Sequence, residues 1–185
     1  MDVNDLFDLL EKKGHEQYGQ EAISQLQHAL QCATLAKNEQ AQDRMIVAAL
    51  FHDVGHLIAD DENVALEGVD AFHENVGYNA LIGVFGDDVA SPVKLHVLAK
   101  RYLCTTDPDY YNGLTQASRT SLEVQGGRLT GDEVVEFESQ PYSHDAICLR
   151  RWDEAAKVPG AKTADLADFK PIAQRLALSN SQETP

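Results

Sequence analysis

The chain runs through Met45-Ile46-Val47-Ala48-Ala49-Leu50-Phe51 without a polar residue, then delivers His52-Asp53-Val54-Gly55-His56. A helical stretch that is apolar on every side belongs inside a protein. It carries an imidazole and a carboxylate into that interior with it. Burying both is costly unless something orders and neutralises them, and a metal ion does both. In a continuous helix His52 and His56 are i, i+4 neighbours on one face, so one site can draw on the two. A hydrogen-bonded His–Asp pair closing a core helix is the plain alternative.

Hydrophobic periodicity places this run in a helix from about residue 40 to 54, with Gly55 as its terminator. Before it come a short amphipathic helix from Val3 to Leu10, stopping at Gly14, and a helix over about 22–37. After it the pattern predicts helices from about 72 through Ile82, from Ser91-Pro92 through Tyr102 with Pro at an early position, and over 114–124, 132–137, 142–157 and 168–177. Residues 57–70 and 105–113 read as polar loops. No stretch alternates as a strand would, so the expected fold is an all-α helical bundle. A length of 185 residues suits one domain over 1–185, with a core of about 18–157 and a peripheral tail over 160–185.

Five of the seven histidines, His28, His52, His56, His73 and His96, fall on or beside separate predicted helices. Helices converging on one core can aim imidazoles and carboxylates at a common point. His28 lies off the apolar stripe of its own helix. If that helix extends upstream, Tyr18, Glu21 and His28 share its polar face; a solvated face is the bland alternative.

Composition narrows the partners. The formal net charge is −15, which argues against nucleic acid or an anionic membrane and requires a local basic exception for any anionic substrate. The acidic start, Met1-Asp2-Val3-Asn4-Asp5, lacks a secretory signal, and no apolar run approaches membrane-spanning length. Three widely separated cysteines, Cys32, Cys104 and Cys148, suit reduced thiols. The expectation is a cytoplasmic protein, a monomer or small homo-oligomer.

The order His28, then His52-Asp53, then Asp153 within Arg150-Arg151-Trp152-Asp153-Glu154 resembles the HD-domain superfamily, an all-helical metal-binding fold. The stretch Tyr18-Gly19-Gln20-Glu21-Ala22-Ile23-Ser24-Gln25-Leu26-Gln27-His28 narrows this to the mixed-valent di-iron HD oxygenases. Ala99-Lys100-Arg101-Tyr102-Leu103, Ala117-Ser118-Arg119-Thr120-Ser121-Leu122-Glu123-Val124-Gln125-Gly126-Gly127 and Trp152-Asp153-Glu154 are similar to the branch that oxidises 1-hydroxy-2-aminoethylphosphonate and its trimethylammonio counterpart. Myo-inositol oxygenase is a more distant member.

The resemblance implies two irons, Fe(II)/Fe(III), with O2 as co-substrate. His28, His52, Asp53 and Asp153 would hold one iron; Asp53 would bridge to a second held with His73 and His96. Lys100, one turn after His96, would join His56, Ser118 and Ser121 in holding a hydroxyphosphonate. Tyr18 would occupy the open metal position at rest and leave as substrate enters, helped by Glu21, whose carboxylate also suits a cationic amino group. The implied reaction is oxidative C–P cleavage giving phosphate and glycine or glycine betaine. Tyr78, Tyr110, Tyr111, Phe72 and Trp152 are candidates for a cation–π cage around a trimethylammonio group. Two rivals remain: a metal-dependent HD phosphohydrolase that activates water, and a non-catalytic domain with a degenerate HD core.

Overall fold

The computed structural model describes residues 1–59 and 72–178. Among these residues lie eleven helices: α1 (Val3–Lys13), α2 (Gln25–Asn38), α3 (Asp43–Phe51), α4 (Val54–Ala59), α5 (His73–Phe85), α6 (Asp87–Thr106), α7 (Pro108–Gly113), α8 (Gln116–Val124), α9 (Gly131–Ser139), α10 (Ser143–Ala155) and α11 (Leu166–Leu176). The described residues form no strand, only one antiparallel bridge between Gln17 and Ser24. Of the loop expected over 57–70, residues 57–59 continue α4 and the rest lies outside the described residues, as does the polar end beyond 178.

Local chemistry fixes where the helices begin. The Ser24 hydroxyl accepts from the Gln27 amide while the Gln27 side chain accepts from the Ser24 amide. This capping box starts α2 at Gln25 rather than near 22. Tyr18 and Glu21 are therefore not on the helix of His28, and the shared helical face expected for the three does not exist. They sit on a turn before it, in which the Tyr18 amide donates to the Ile23 carbonyl (2.9 Å) and the Glu21 amide to that of Tyr18 (2.9 Å).

The helix expected over 40–54 is two helices. α3 ends at Phe51, His52 and Asp53 form a turn, and α4 begins at Val54. His52 and His56 thus do not share a helical face. Gly55 lies inside α4 instead of ending a helix. A Cβ at Gly55 would stand 2.0 Å from the His73 carbonyl oxygen, so glycine is required by the close approach of α4 and α5. Two smaller differences follow: α6 begins at Asp87, which puts Pro92 inside it, and the polar stretch 105–113 contains α7.

One apolar cluster draws Leu6, Cys32, Phe51, Val54, Leu81, Val93, Leu149 and Phe169 from α1 to α6, α10 and α11. Each large side chain buried there contributes about 1.5–3 kcal/mol. Residues 160–178, expected to be peripheral, supply Phe169 and Ala173, both fully buried. Smaller clusters form around Phe137 and around Leu114 and Leu122. No helix among the described residues is long and apolar enough to cross a membrane.

Candidate metal centre and anion pocket

Asp53 leaves the α3–α4 turn with one carboxylate oxygen toward each of two histidine pairs. Its Oδ2 lies 3.3 Å from Nε2 of His52 and 3.6 Å from Nε2 of His28. Its Oδ1 lies 3.4 Å from Nε2 of His73 and 3.5 Å from Nε2 of His96. Within each pair the Nε2 atoms nearly touch, at 3.2 Å for His28 and His52 and 3.1 Å for His73 and His96. Asp153, on α10, completes the first cluster, with Oδ1 3.4 Å from Nε2 of His28. All six residues are buried.

The hydrogen bonds of the imidazoles suit a cation at this centre. Nδ1 of His28 donates to the Ala156 carbonyl (2.9 Å), that of His52 to Ala49 (2.9 Å) and that of His96 to Val93 (2.6 Å). With the proton on Nδ1, each Nε2 presents a lone pair to the centre. Lone pairs about 3 Å apart and facing carboxylates repel unless a cation lies among them. Oδ1 of Asp153 is buried without a hydrogen-bond donor, an acceptor that a cation among these groups would satisfy. Four imidazoles and two carboxylates suit iron, manganese or zinc.

Protons alone fill the centre unevenly. Burial opposes charge on His52, yet Asp53 and then Asp153 lift it to about 9. Burial and the neighbouring His73 push His96 down to about 3. Burial also works against ionised Asp53 and Asp153, but His52 beside the first and Arg150 beside the second keep both carboxyls well below the usual range. Cys32 Sγ lies 3.8 Å from Nε2 of His28. Burial, with Asp153 and Asp53 nearby, raises its thiol well above the ordinary range, so it is a poor thiolate ligand.

The Tyr18 hydroxyl donates to Asp53 Oδ2 (2.8 Å), and its ring stacks on His28 with centroids 4.0 Å apart. Burial and the charges of Asp53 and Asp153 push this phenol well above its usual range. Glu21 points from the same turn to α8, accepting from the Thr115 hydroxyl (2.6 Å). His56 stacks on His73 at 3.9 Å, beside the second histidine pair rather than within it.

A basic pocket adjoins this centre. Lys100, 2% exposed on α6, donates to Ser121 Oγ (2.6 Å) and Gln125 Oε1 (3.0 Å). Burial and the charges of Arg150 and Lys157 lower its pKa to about 7. Ser118 is not on Lys100: its hydroxyl accepts from Lys157 (2.6 Å) and donates to Glu154 (2.8 Å). Arg150 forks to Asp153 and Glu154 and donates through Nε to the Tyr110 hydroxyl (2.6 Å). Arg150, Glu154, Lys157, Gln125 and Thr115 are not singled out by the sequence, and Tyr110 is singled out there only as a candidate for an aromatic cage. The signal that could have found some of them is the Arg150, Asp153, Glu154 spacing, which stacks opposite charges one turn apart on α10.

The proposed aromatic cage does not assemble. The Trp152 indole donates to Glu39, Tyr110 is held by Arg150, Tyr111 lies under Arg119 and Arg128, Tyr78 lies under Lys94, and Phe72 is 56% exposed.

Bundle and site together define an all-helical protein with two histidine pairs sharing a carboxylate, beside a buried basic pocket. No family model matches the chain. It is 47% identical over 169 residues, 90% of this chain and 84% of the relative, to the hydroxymethylphosphonate dioxygenase of Gimesia maris. It is 37% identical over 169 residues, 91% of this chain and 86% of the relative, to the glycine-betaine-forming [1-hydroxy-2-(trimethylamino)ethyl]phosphonate dioxygenase of Leisingera caerulea. An uncharacterised mimivirus protein, L432, is 35% identical over 159 residues. The chain belongs to the phosphonate dioxygenase family, the HD-type oxygenases that its sequence resembles.

Proposed function

We propose that this protein cleaves the C–P bond of a 1-hydroxyalkylphosphonate with O2 at a mixed-valent Fe(II)/Fe(III) pair. Its balance is R–CH(OH)–PO3²⁻ + O2 → R–COO⁻ + HPO4²⁻ + H⁺. The observation that carries this reading is the division of Asp53, one oxygen to each histidine pair, which fits a carboxylate shared by two metals. His28, His52 and Asp153 would complete one coordination sphere, and His73 with His96 the other. When bound, the irons supply the oxygen activation and redox chemistry, which side chains of these types cannot.

The protein's own groups bind, orient and shield. Lys100 with Ser121 supplies charge-assisted hydrogen bonds to phosphonate oxygens, with His56 approaching from α4 and Ser118, backed by Lys157, from α8. Arg150 holds Asp153 and Glu154 in place, so that the ligand helix does not shift as an anion enters. Tyr18 covers the Asp53 side of the centre until substrate displaces it, and Glu21 offers its carboxylate to an amino substituent. The shared hydroxyphosphonate unit in the names of the two relatives supports this substrate class over a phosphoester.

The test is phosphate release from hydroxymethylphosphonate, 2-amino-1-hydroxyethylphosphonate and its trimethylammonio analogue, in air and under argon. At least one of them should yield phosphate and its carboxylate only in air. Turnover of nucleotide phosphoesters under argon, with none of the three phosphonates consumed in air, would favour the hydrolase instead.

A further inference from the structure

The turn that carries Tyr18 and Glu21 is anchored at its ends, and the side chains of Tyr18 and Glu21 tie it to the body of the protein. At its base the Gln25 amide donates to Glu16 (3.0 Å) and the Leu26 amide to Gly14 (2.7 Å). Its tip bends through Gly19 at φ +51, a conformation glycine adopts without strain. One tie is the Tyr18 hydroxyl on Asp53. The other is the Thr115 hydroxyl on Glu21, which links residues 94 positions apart. Glu21 also lines a shallow, open surface cleft of about 390 Å³ with His15, Gln17 and Gln27.

Thr115 is fully engaged by this arrangement. Its hydroxyl accepts from the Ser118 amide (3.1 Å), capping α8, which leaves its single proton for Glu21. Its own amide donates to Glu154 Oε1 (3.2 Å), one residue beyond Asp153. Arg150 and Lys157 in turn hold Glu154. The carboxylate of the turn is thus tied, through one threonine, to the helix that carries Asp153.

We propose that Thr115 is the latch of the site: a positioning residue whose hydrogen bond to Glu21 sets how often the Tyr18–Glu21 turn opens for substrate. The proposal rests on the functional reading above, in which that turn covers the entry to the metal centre. Loss of one such hydrogen bond shifts the open population by about fivefold. Apparent substrate affinity follows that population, because only the open turn admits the hydroxyphosphonate. A substrate with an ammonium group competes directly for Glu21 and so releases the latch; one without it depends on spontaneous opening.

Hydrogen exchange of the Tyr18 and Glu21 amides, on metal-loaded and on metal-free protein, tests the latch without turnover. Thr115→Val removes both the latch and the helix cap. Thr115→Asp keeps a cap for α8 but cannot donate to Glu21. Thr115→Ser keeps both. Exchange at Tyr18 and Glu21 should rise about fivefold in the Val and Asp variants and stay at the wild-type rate in Ser, with the Ser118 amide unchanged in Asp. In turnover, KM for hydroxymethylphosphonate should fall severalfold in Thr115→Val with kcat within twofold of wild type. Wild-type exchange at both amides in the Val and Asp variants would overturn the latch, as would a rise in KM with a fall in kcat. Absence of hydroxyphosphonate turnover in the wild type would overturn the functional reading alone, since the exchange measurement needs no substrate.

Discussion

Gly55 and His73 meet backbone to side: a methyl group on Gly55 would lie 2.0 Å from the His73 carbonyl oxygen. The neighbouring Gly77 amide lies 3.0 Å from the same point, and Gly77 has only van der Waals neighbours of its own. Gly55 lets α4 pack close against α5, and that contact sets the distance from His73 to Asp53. The second histidine pair therefore depends on a residue that bears no ligand.

Gly55→Ala should separate α4 from α5 and carry His73 away from Asp53. Overpacking of this kind costs about 1–3 kcal/mol. Thermal unfolding should show that loss, and metal analysis should find the His73–His96 position depleted while the His28–His52 position stays filled. A full complement of metal in a folded variant would show that α5 tolerates the shift.

Asp53→Asn tests the shared carboxylate. An amide is neutral and offers one oxygen acceptor where the carboxylate offers two, so the His73–His96 pair loses its shared carboxylate and the His28–His52 pair keeps only Asp153. Metal content should fall from about two ions per chain to below one, whereas His96→Ala should lose about one. Equal losses in the two variants would mean that Asp53 serves only one position.

The pH dependence follows from Lys100. Burial, with Arg150 and Lys157 nearby, places its pKa at about 7. The lysine is cationic below that value and neutral above it, so its hold on a phosphonate is strongest below pH 7 and weakens as pH rises through 7. KM should climb on the alkaline side, and Lys100→Met should raise KM at acidic pH and flatten the climb. An identical alkaline limb in that variant would assign the titration to another group.

Arg150→Met should be the most destabilising substitution in the pocket. It leaves Asp153 and Glu154 without their guanidinium partner, and removal of one member of a buried pair costs about 3–5 kcal/mol. Arg150→Lys should recover little of this. A single ammonium cannot reach Asp153, Glu154 and Tyr110 together, as the guanidinium does. Chemical denaturation measures both.

The residues proposed as ligands are legible because residue type and chain order carry them: His52-Asp53 after an apolar run, and three more histidines on separate helices. Their convergence is what the fold adds. Local geometry was less legible. His52 and His56 looked like neighbours on one face because an apolar run does not announce the turn between α3 and α4. Gly55 looked like a terminator because the His73 backbone that requires it lies 18 residues away in sequence. Both a helical spacing and the family resemblance point to Tyr18 and Glu21; the Ser24 cap rules out the spacing, yet Tyr18 still reaches Asp53 from a turn. The partners of Arg150, Lys157 and Thr115 come from tertiary contacts, which periodicity does not encode.

Electron paramagnetic resonance of iron-loaded, one-electron-reduced protein tests the proposed pair of irons joined through Asp53. The expected result is the signal of a coupled Fe(II)/Fe(III) pair with one net unpaired electron, perturbed when a hydroxyphosphonate is added and absent in Asp53→Asn. An isolated ferric signal from a single iron per chain, unchanged by hydroxyphosphonate and by Asp53→Asn, would contradict it.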